Sequence, residues 1–185
     1  MAETTPGDAA RRSDVLDAAL RTFTRFGYRK TSMDDVAKEA QISRPGLYFL
    51  FSSKSGLFRE AAERGVELDL AAAEAAIEAP GRPVAESIAA AFDAWAGRYI
   101  GPIHDTATLI ADNPDLLGPV ALSGSARFGV LLAAALEKTA LAGSASMAAR
   151  TLISLSIGIK LQSKTREEYR SRLSDALSLL LPAAR

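Results

Sequence analysis

Apolar positions recur every three or four residues along most of this chain, and the breaks fall at glycine, proline and asparagine. Val15, Leu16, Ala19, Leu20 and Phe23 share one helical face, which predicts a first helix from about Arg11 to Phe26. Gly27 ends it, as a residue that readily takes a left-handed backbone. Residues 1–10 are small and polar and are predicted to be a disordered tail. Ser32 followed by Asp35 is a variant capping box, and Met33, Val36, Ala37 and Ala40 carry a short helical face behind it. Gln41 and Ile42 form a turn. Ser43 can cap the next short helix, where Pro45 is tolerated in the first turn and Leu47 and Phe51, four apart, point inward. Ser53 caps a long fourth helix, from Lys54 to about Ala79, which stops before Pro80-Gly81-Arg82-Pro83.

The remainder repeats the helical period. Val84, Ile88, Ala91, Phe92, Trp95 and Tyr99 make one stripe, broken by Gly101-Pro102. A short helix from about Ile103 ends at Asp112-Asn113-Pro114, and a longer one is predicted from about Gly118 to Leu141. Gly143 and Ser144 separate it from a helix over 146–161, and Thr165 with Glu168 forms a capping box that opens a last helix over 166–181. There is no strand pattern and no internal repeat, so the fold class is all-α. The last two helices are apolar on more than one side, which terminal helices of a small domain seldom bury within their own chain. That predicts a homodimer held by an intermolecular four-helix interface.

A helix, a short turn and a second short helix form the helix-turn-helix layout, whose second helix reads base edges in the major groove. With Leu47 and Phe51 turned inward, Arg44, Gly46, Tyr48 and Phe49 lie on other faces, and Arg44 has the reach for a guanine. Lys54 opens a helix, where the macrodipole disfavours a cation unless the lysine and the free N–H groups jointly hold a phosphate. Taken alone, Lys54 reads better as an ordinary solvated lysine; the combination carries the reading. Thr31 and Tyr48 are hydroxyl donors suited to such contacts. With Ser32, Ser43 and Pro45 these complete the candidate DNA-contacting set.

Charge supports that placement. The chain carries 22 basic and 22 acidic residues, which argues against a general polyanion binder. Between Arg21 and Arg59, however, eight basic residues face only Asp34, Asp35 and Glu39. A local basic excess on this stretch is the footprint of a phosphate-binding face.

The run Thr31-Ser32-Met33, Val36-Ala37, Ile42-Ser43, Leu47-Tyr48, Phe51 and Ser53-Lys54 resembles the DNA-binding signature of the TetR family of bacterial transcriptional regulators. Phe23 and Gly27-Tyr28 precede it at the spacing that family shows. The resemblance covers roughly the first 60 residues and is only architectural beyond them. Gln41 stands where the family usually has a turn glycine, Leu50 where histidine or tyrosine is common, and Gly56 where an acidic residue is common. The resemblance implies a helix-turn-helix DNA-binding domain over residues 11–57 and a helical regulatory and dimerisation domain over 58–185. It implies a repressor released from a palindromic operator by a small, largely apolar effector. Phe92, Trp95, Tyr99, His104, Thr108 and Phe128 could line the effector pocket, although each singly reads as core. A second reading keeps the DNA-binding fold and makes the C-terminal part a protein-interaction module without a small ligand.

Other chemistry has little support. Nucleophile-elbow, phosphate-loop and dinucleotide-binding glycine patterns are absent, and His104 is the only histidine. With no cysteine either, no enzyme activity, metal or cofactor is expected. Hydrophobic residues reach 48% but aromatics only 6%, as in a core of Ala and Leu. No apolar run approaches a membrane span, and the first residues lack the apolar core of a signal peptide. A cytoplasmic location without a membrane partner is the expectation.

Overall fold

The computed structural model describes residues 6–97, 100 and 112–181. Among them are eight α-helices, one short 3-10 helix and no strand. In chain order the helices are α1 (Pro6–Phe26), α2 (Met33–Glu39), α3 (Arg44–Leu50) and α4 (Lys54–Glu78), followed by α5 (Val84–Trp95) and α6 (Pro114–Leu136). The last two are α7 (Ala145–Gln162) and α8 (Arg166–Leu180). The all-α expectation therefore holds.

Three helices differ from the pattern in their bounds. Helix α5 ends at Trp95, before the break expected at Gly101-Pro102. Helix α1 starts at Pro6 rather than Arg11, so residues 6–10 of the expected tail are helical. Proline is well suited to the first helical position, where its missing N–H has no partner to lose. Helix α6 starts at Pro114 and ends at Leu136, against the expected Gly118 to Leu141, and it accommodates Pro119 in its second turn. The short helix expected from Ile103 lies outside the described residues.

The described chain divides into two compact units. The first gathers α1, α2, α3, α4 as far as Val66, and α6 as far as Ala121. Its core is built by Val15, Ala19 and Phe23 of α1, Val36 of α2, Leu47 of α3, and Leu57, Phe58 and Ala61 of α4, all at most 1% exposed. Phe58 meets Phe23 edge-on at 4.8 Å between ring centres and stacks with Tyr28 at 4.6 Å. Rings in these arrangements add roughly 0.5–1.5 kcal/mol per pair beyond their buried area. Leu117 and Val120 of α6 belong to the same core. By packing, α4 divides between Val66 and Glu67.

The second unit holds α4 from Glu67, α5, α6 from Leu122, α7 and α8. Ile88 and Phe92 of α5, Phe128, Leu132 and Leu136 of α6, Leu152 of α7 and Leu173 and Leu177 of α8 are buried. The Asp93 carboxylate of α5 takes two hydrogen bonds from Arg166 of α8, both at 2.8 Å. Tyr169 of α8 is fully buried, and its hydroxyl meets that of Ser156 of α7 at 2.7 Å. The cap of α8 differs from a closed box by one residue. Thr165 Oγ1 accepts from the Glu168 backbone N–H, but Glu168 accepts from the N–H of Lys164 and not of Thr165.

Helix α6 corrects the hydropathy reading. By length and composition alone it could cross a membrane, with a mean hydropathy of 1.5 over an 18-residue window. Its alanines, leucines and valines raise that value while Phe128, Leu132 and Leu136 are buried in the second unit. On its outer side Arg127 makes a bidentate ion pair with Glu67.

Candidate nucleic-acid interface

The reading helix is placed by its apolar side. Leu47 is completely buried and Phe51 is 3% exposed, so both inward anchors expected from their four-residue spacing are in the first unit's core. Fixing that side leaves Arg44, Pro45, Tyr48 and Phe49 exposed, and Phe49 stands 89% free. The ends are defined by caps. Ser43 Oγ accepts from the Gly46 N–H at 3.2 Å, and a Cβ at Gly46 would come within 3.1 Å of that oxygen. Glycine thus keeps the first turn of α3 tight against its own cap.

The turn before α3 rests on Gln41, whose φ is +54°. This is the left-handed conformation that glycine adopts without strain, and the chain reaches it with a side chain. Helix α2 opens with the full capping box. Ser32 Oγ accepts from the Asp35 N–H, and Asp35 Oδ2 accepts from the Ser32 backbone N–H at 2.9 Å. The Ser32 hydroxyl, which donates to Asp35 Oδ2 at 2.6 Å, and after it the Ser32 backbone N–H hold the Asp35 carboxyl below its ordinary pKa.

Thr31 does not belong to the exposed face. Its side chain is buried at 2% exposure, and its hydroxyl donates to the Gly27 carbonyl oxygen at 2.9 Å. It ties the end of α1 to the start of α2, which takes it out of reach of a partner. Ser32, Ser43, Arg44, Pro45, Gly46, Tyr48, Phe49 and Lys54 remain as the expected set.

Lys54 sits at the first position of α4, behind the cap formed by Ser53 Oγ, which accepts from the Gly56 N–H at 3.1 Å. Its ammonium lies 4.4 Å from the centre of the Tyr28 ring, the ring already stacked on Phe58. Partial burial pushes its pKa below the ordinary lysine value, and no carboxylate neutralises it among the described residues. A desolvated cation on an aromatic platform beside free helix N–H groups is equipped to take a phosphate oxygen.

Two supports lie outside the expected set. Arg12 of α1 donates from Nη1 to the carbonyl oxygen of Leu50, at 2.7 Å, and pairs through Nη2 with Glu60 of α4. Its guanidinium also covers the Phe51 ring at 4.1 Å. A cation on the last carbonyl of α3 satisfies an orphan acceptor and suits the helix dipole. The second support is Asp34 of α2, which pairs with Arg44: Nη1 donates to Oδ2 at 3.3 Å, and Nε lies 3.1 Å from Oδ1. Neither partnership leaves a mark in the sequence, since the residues are 38, 48 and 10 positions apart.

In the second unit Phe92, Trp95 and Phe128 come together. Phe92 meets Phe128 edge-on at 5.1 Å, and Trp95 stacks on Phe128 at 4.9 Å. Phe92 and Phe128 are buried at 1% and 0% exposure, while Trp95 is half-buried. Tyr99, His104 and Thr108 lie outside the described residues.

Comparison with known proteins places the first unit. Residues 15–61 match the family model of bacterial regulatory proteins, tetR family. An uncharacterised HTH-type transcriptional regulator of Bacillus subtilis, YfiR, is 40% identical over 57 residues, which are 31% of this chain and 28% of that protein. The HTH-type transcriptional repressor ComR of Escherichia coli is 29% identical over 108 residues, 58% of this chain and 51% of ComR. The chain thus spans between about a quarter and a half of these relatives' length. The crystal structure of reduced NemR from E. coli is similar over 95% of this chain and all of that one, with a TM-score of 0.77 and 18% identity. This last likeness is one of fold.

Proposed function

We propose that the chain, whose residues 15–61 match the family model of bacterial regulatory proteins, tetR family, is a homodimeric transcriptional repressor of that family that reads a palindromic operator. The observation that carries this is the exposed side of α3, where Arg44, Pro45, Tyr48 and Phe49 face solvent because Leu47 and Phe51 are buried behind them. Helix α3 enters the major groove. Arg44 addresses guanine, Phe49 offers an apolar surface to a thymine methyl group, and Tyr48 and Lys54 hold backbone phosphates. Ser32, Ser43, Pro45 and Gly46 shape the two helix starts that face the duplex.

Two copies pair through α7 and α8. In support, α7 leaves Met147, Ile157 and Leu161 exposed and α8 leaves Leu179 exposed at 84%, after each helix has buried its inner side. The repressor role is taken from the likeness to ComR, and a cytoplasmic location is the one that the proposed DNA partner calls for. The release signal is a small, largely apolar molecule taken up in the second unit. Trp95 is the member of the aromatic cluster with surface still to offer, and Phe92 and Phe128 back it.

Selection of duplexes from a randomised library with the full chain tests the reading. A consensus with two-fold symmetry and half-sites spaced by whole turns of about 34–36 Å is expected; recovery of unrelated duplexes overturns it. Trp95 is the only tryptophan, so its fluorescence reports an apolar candidate such as a hydrophobic dye or drug. Linkage requires the selected duplex to weaken such binding by the factor by which the molecule weakens duplex binding. Equal affinities with and without duplex would reject the switch.

A further inference from the structure

Arg44 is the exposed cation at the head of the reading helix, yet it is not alone there. The Asp34 carboxylate of α2 lies against it, with one hydrogen bond from Nη1 to Oδ2 at 3.3 Å. Nε approaches Oδ1 at 3.1 Å without donating to it, and Oδ1, shut off from solvent, has no hydrogen-bond partner among the described residues. The Nε and Nη2 edge of the guanidinium therefore keeps its hydrogens unspent. Asp34 is not needed for the α2 cap, which Ser32 and Asp35 close between themselves.

The pairing changes what Arg44 can recognise. A free arginine on this face would attract any phosphate, and every duplex offers phosphates regardless of sequence. A carboxylate at this distance offsets part of that charge toward a phosphate arriving from outside. It leaves intact the directional fork that fits the two neutral acceptors of guanine, O6 and N7. It also restricts a long, flexible side chain to one region of the α3 surface.

We propose that Asp34 is a specificity-determining residue, which holds Arg44 away from backbone phosphates and presents its free edge to a guanine. The proposal rests on the reading of α3 as the element that enters the groove. Asp34 acts through Arg44 and itself touches no base.

The test measures binding of the full chain to the best duplex from library selection and to a scrambled duplex of equal length, across a range of salt. With Asp34→Asn, affinity for the scrambled duplex rises and the ratio of the two affinities falls by roughly 5- to 30-fold. The salt slope on the scrambled duplex steepens by about one phosphate unit. With Asp34→Glu, which keeps the charge, the ratio recovers at least in part. In an Arg44→Ala background Asp34→Asn changes neither ratio nor slope, the result that separates action through Arg44 from a general charge effect. Circular dichroism and thermal melting of each variant confirm that α2 and α3 are formed. A ratio unmoved by Asp34→Asn, or an equal change in the Arg44→Ala background, overturns the proposal while leaving the DNA-binding reading intact. A wild-type chain that does not distinguish the two duplexes overturns both.

Discussion

At the residue scale, the interface is set by which side chains already have partners. Gln41 shows the conformational side of this: it holds φ at +54° in the turn between α2 and α3, where glycine carries no such strain. Gln41→Gly is expected to raise stability by about 1 kcal/mol, the left-handed penalty less the extra freedom glycine has in the unfolded chain. A urea melt that shows no gain would mean that the Gln41 side chain contributes as much as its backbone costs. Lys54 shows the electrostatic side. Its ammonium rests on the Tyr28 ring without a carboxylate partner among the described residues, so a phosphate is its natural counter-charge. Lys54→Ala is expected to weaken binding to all duplexes by similar factors and to flatten the salt slope by about one. An unchanged slope removes this lysine from the contact surface.

At the scale of elements, short helices are stabilised more by neighbours than by themselves. Seven-residue α2 and α3 are too short to form alone in water, so their caps and their buried faces must hold them. Arg12 adds a fixed end to α3 by taking the Leu50 carbonyl. In the second unit the join between α7 and α8 is polar, the Ser156–Tyr169 pair inside an apolar core. Burial, offset in part by the Ser156 hydrogen bond and reinforced by Asp93, pushes the Tyr169 hydroxyl up to about 12. An acid whose pKa is raised by folding favours the folded state while it stays neutral. Its contribution is therefore full below the unfolded value near 10 and is lost as pH rises from about 10 to about 12. Up to about 3 kcal/mol is at stake in that window. Tyr169→Phe is expected to cost about 1–3 kcal/mol at neutral pH, by leaving Ser156 without its partner, and to remove the alkaline loss. Urea unfolding at neutral pH and near pH 11 checks it; equal alkaline losses in both proteins would contradict the assignment.

At the scale of the whole molecule, the proposed reading of a palindrome depends on two copies. In that proposal one reading head would grip a half-site through one short helix, and tethering two heads multiplies affinity by about 10²–10⁴ without a new contact. Leu161 at the end of α7 is 83% exposed in the single chain, so it contributes little to the fold of one copy and is available to the proposed contact between two. Leu161→Glu is expected to yield a monomer in sedimentation with an unchanged helical spectrum, and to lose roughly 10²-fold in affinity for a symmetric duplex. A variant that still sediments as a dimer would move the interface away from α7.

The type of most helices, the Ser32 and Ser43 caps, and the inward residues Leu47 and Phe51 were legible in the chain itself. Each depends on a spacing of three or four residues, and hydrogen bonds and apolar stripes at that spacing are local consequences of helical geometry. Gly27 and the Ser32–Asp35 box belong to the same class. The partners of side chains were not legible, because they are chosen by whichever element packs alongside. Thr31 reads as a surface hydroxyl until the approach of α1 and α2 buries it onto Gly27. Arg44 reads as a free cation until the packing of α2 and α3 brings Asp34 to it. Periodicity states which side of a helix seeks cover, and only the packed fold decides what arrives there. For α7 and α8 that question extends past a single chain, since Ile157, Leu161 and Leu179 are still exposed once this chain has folded.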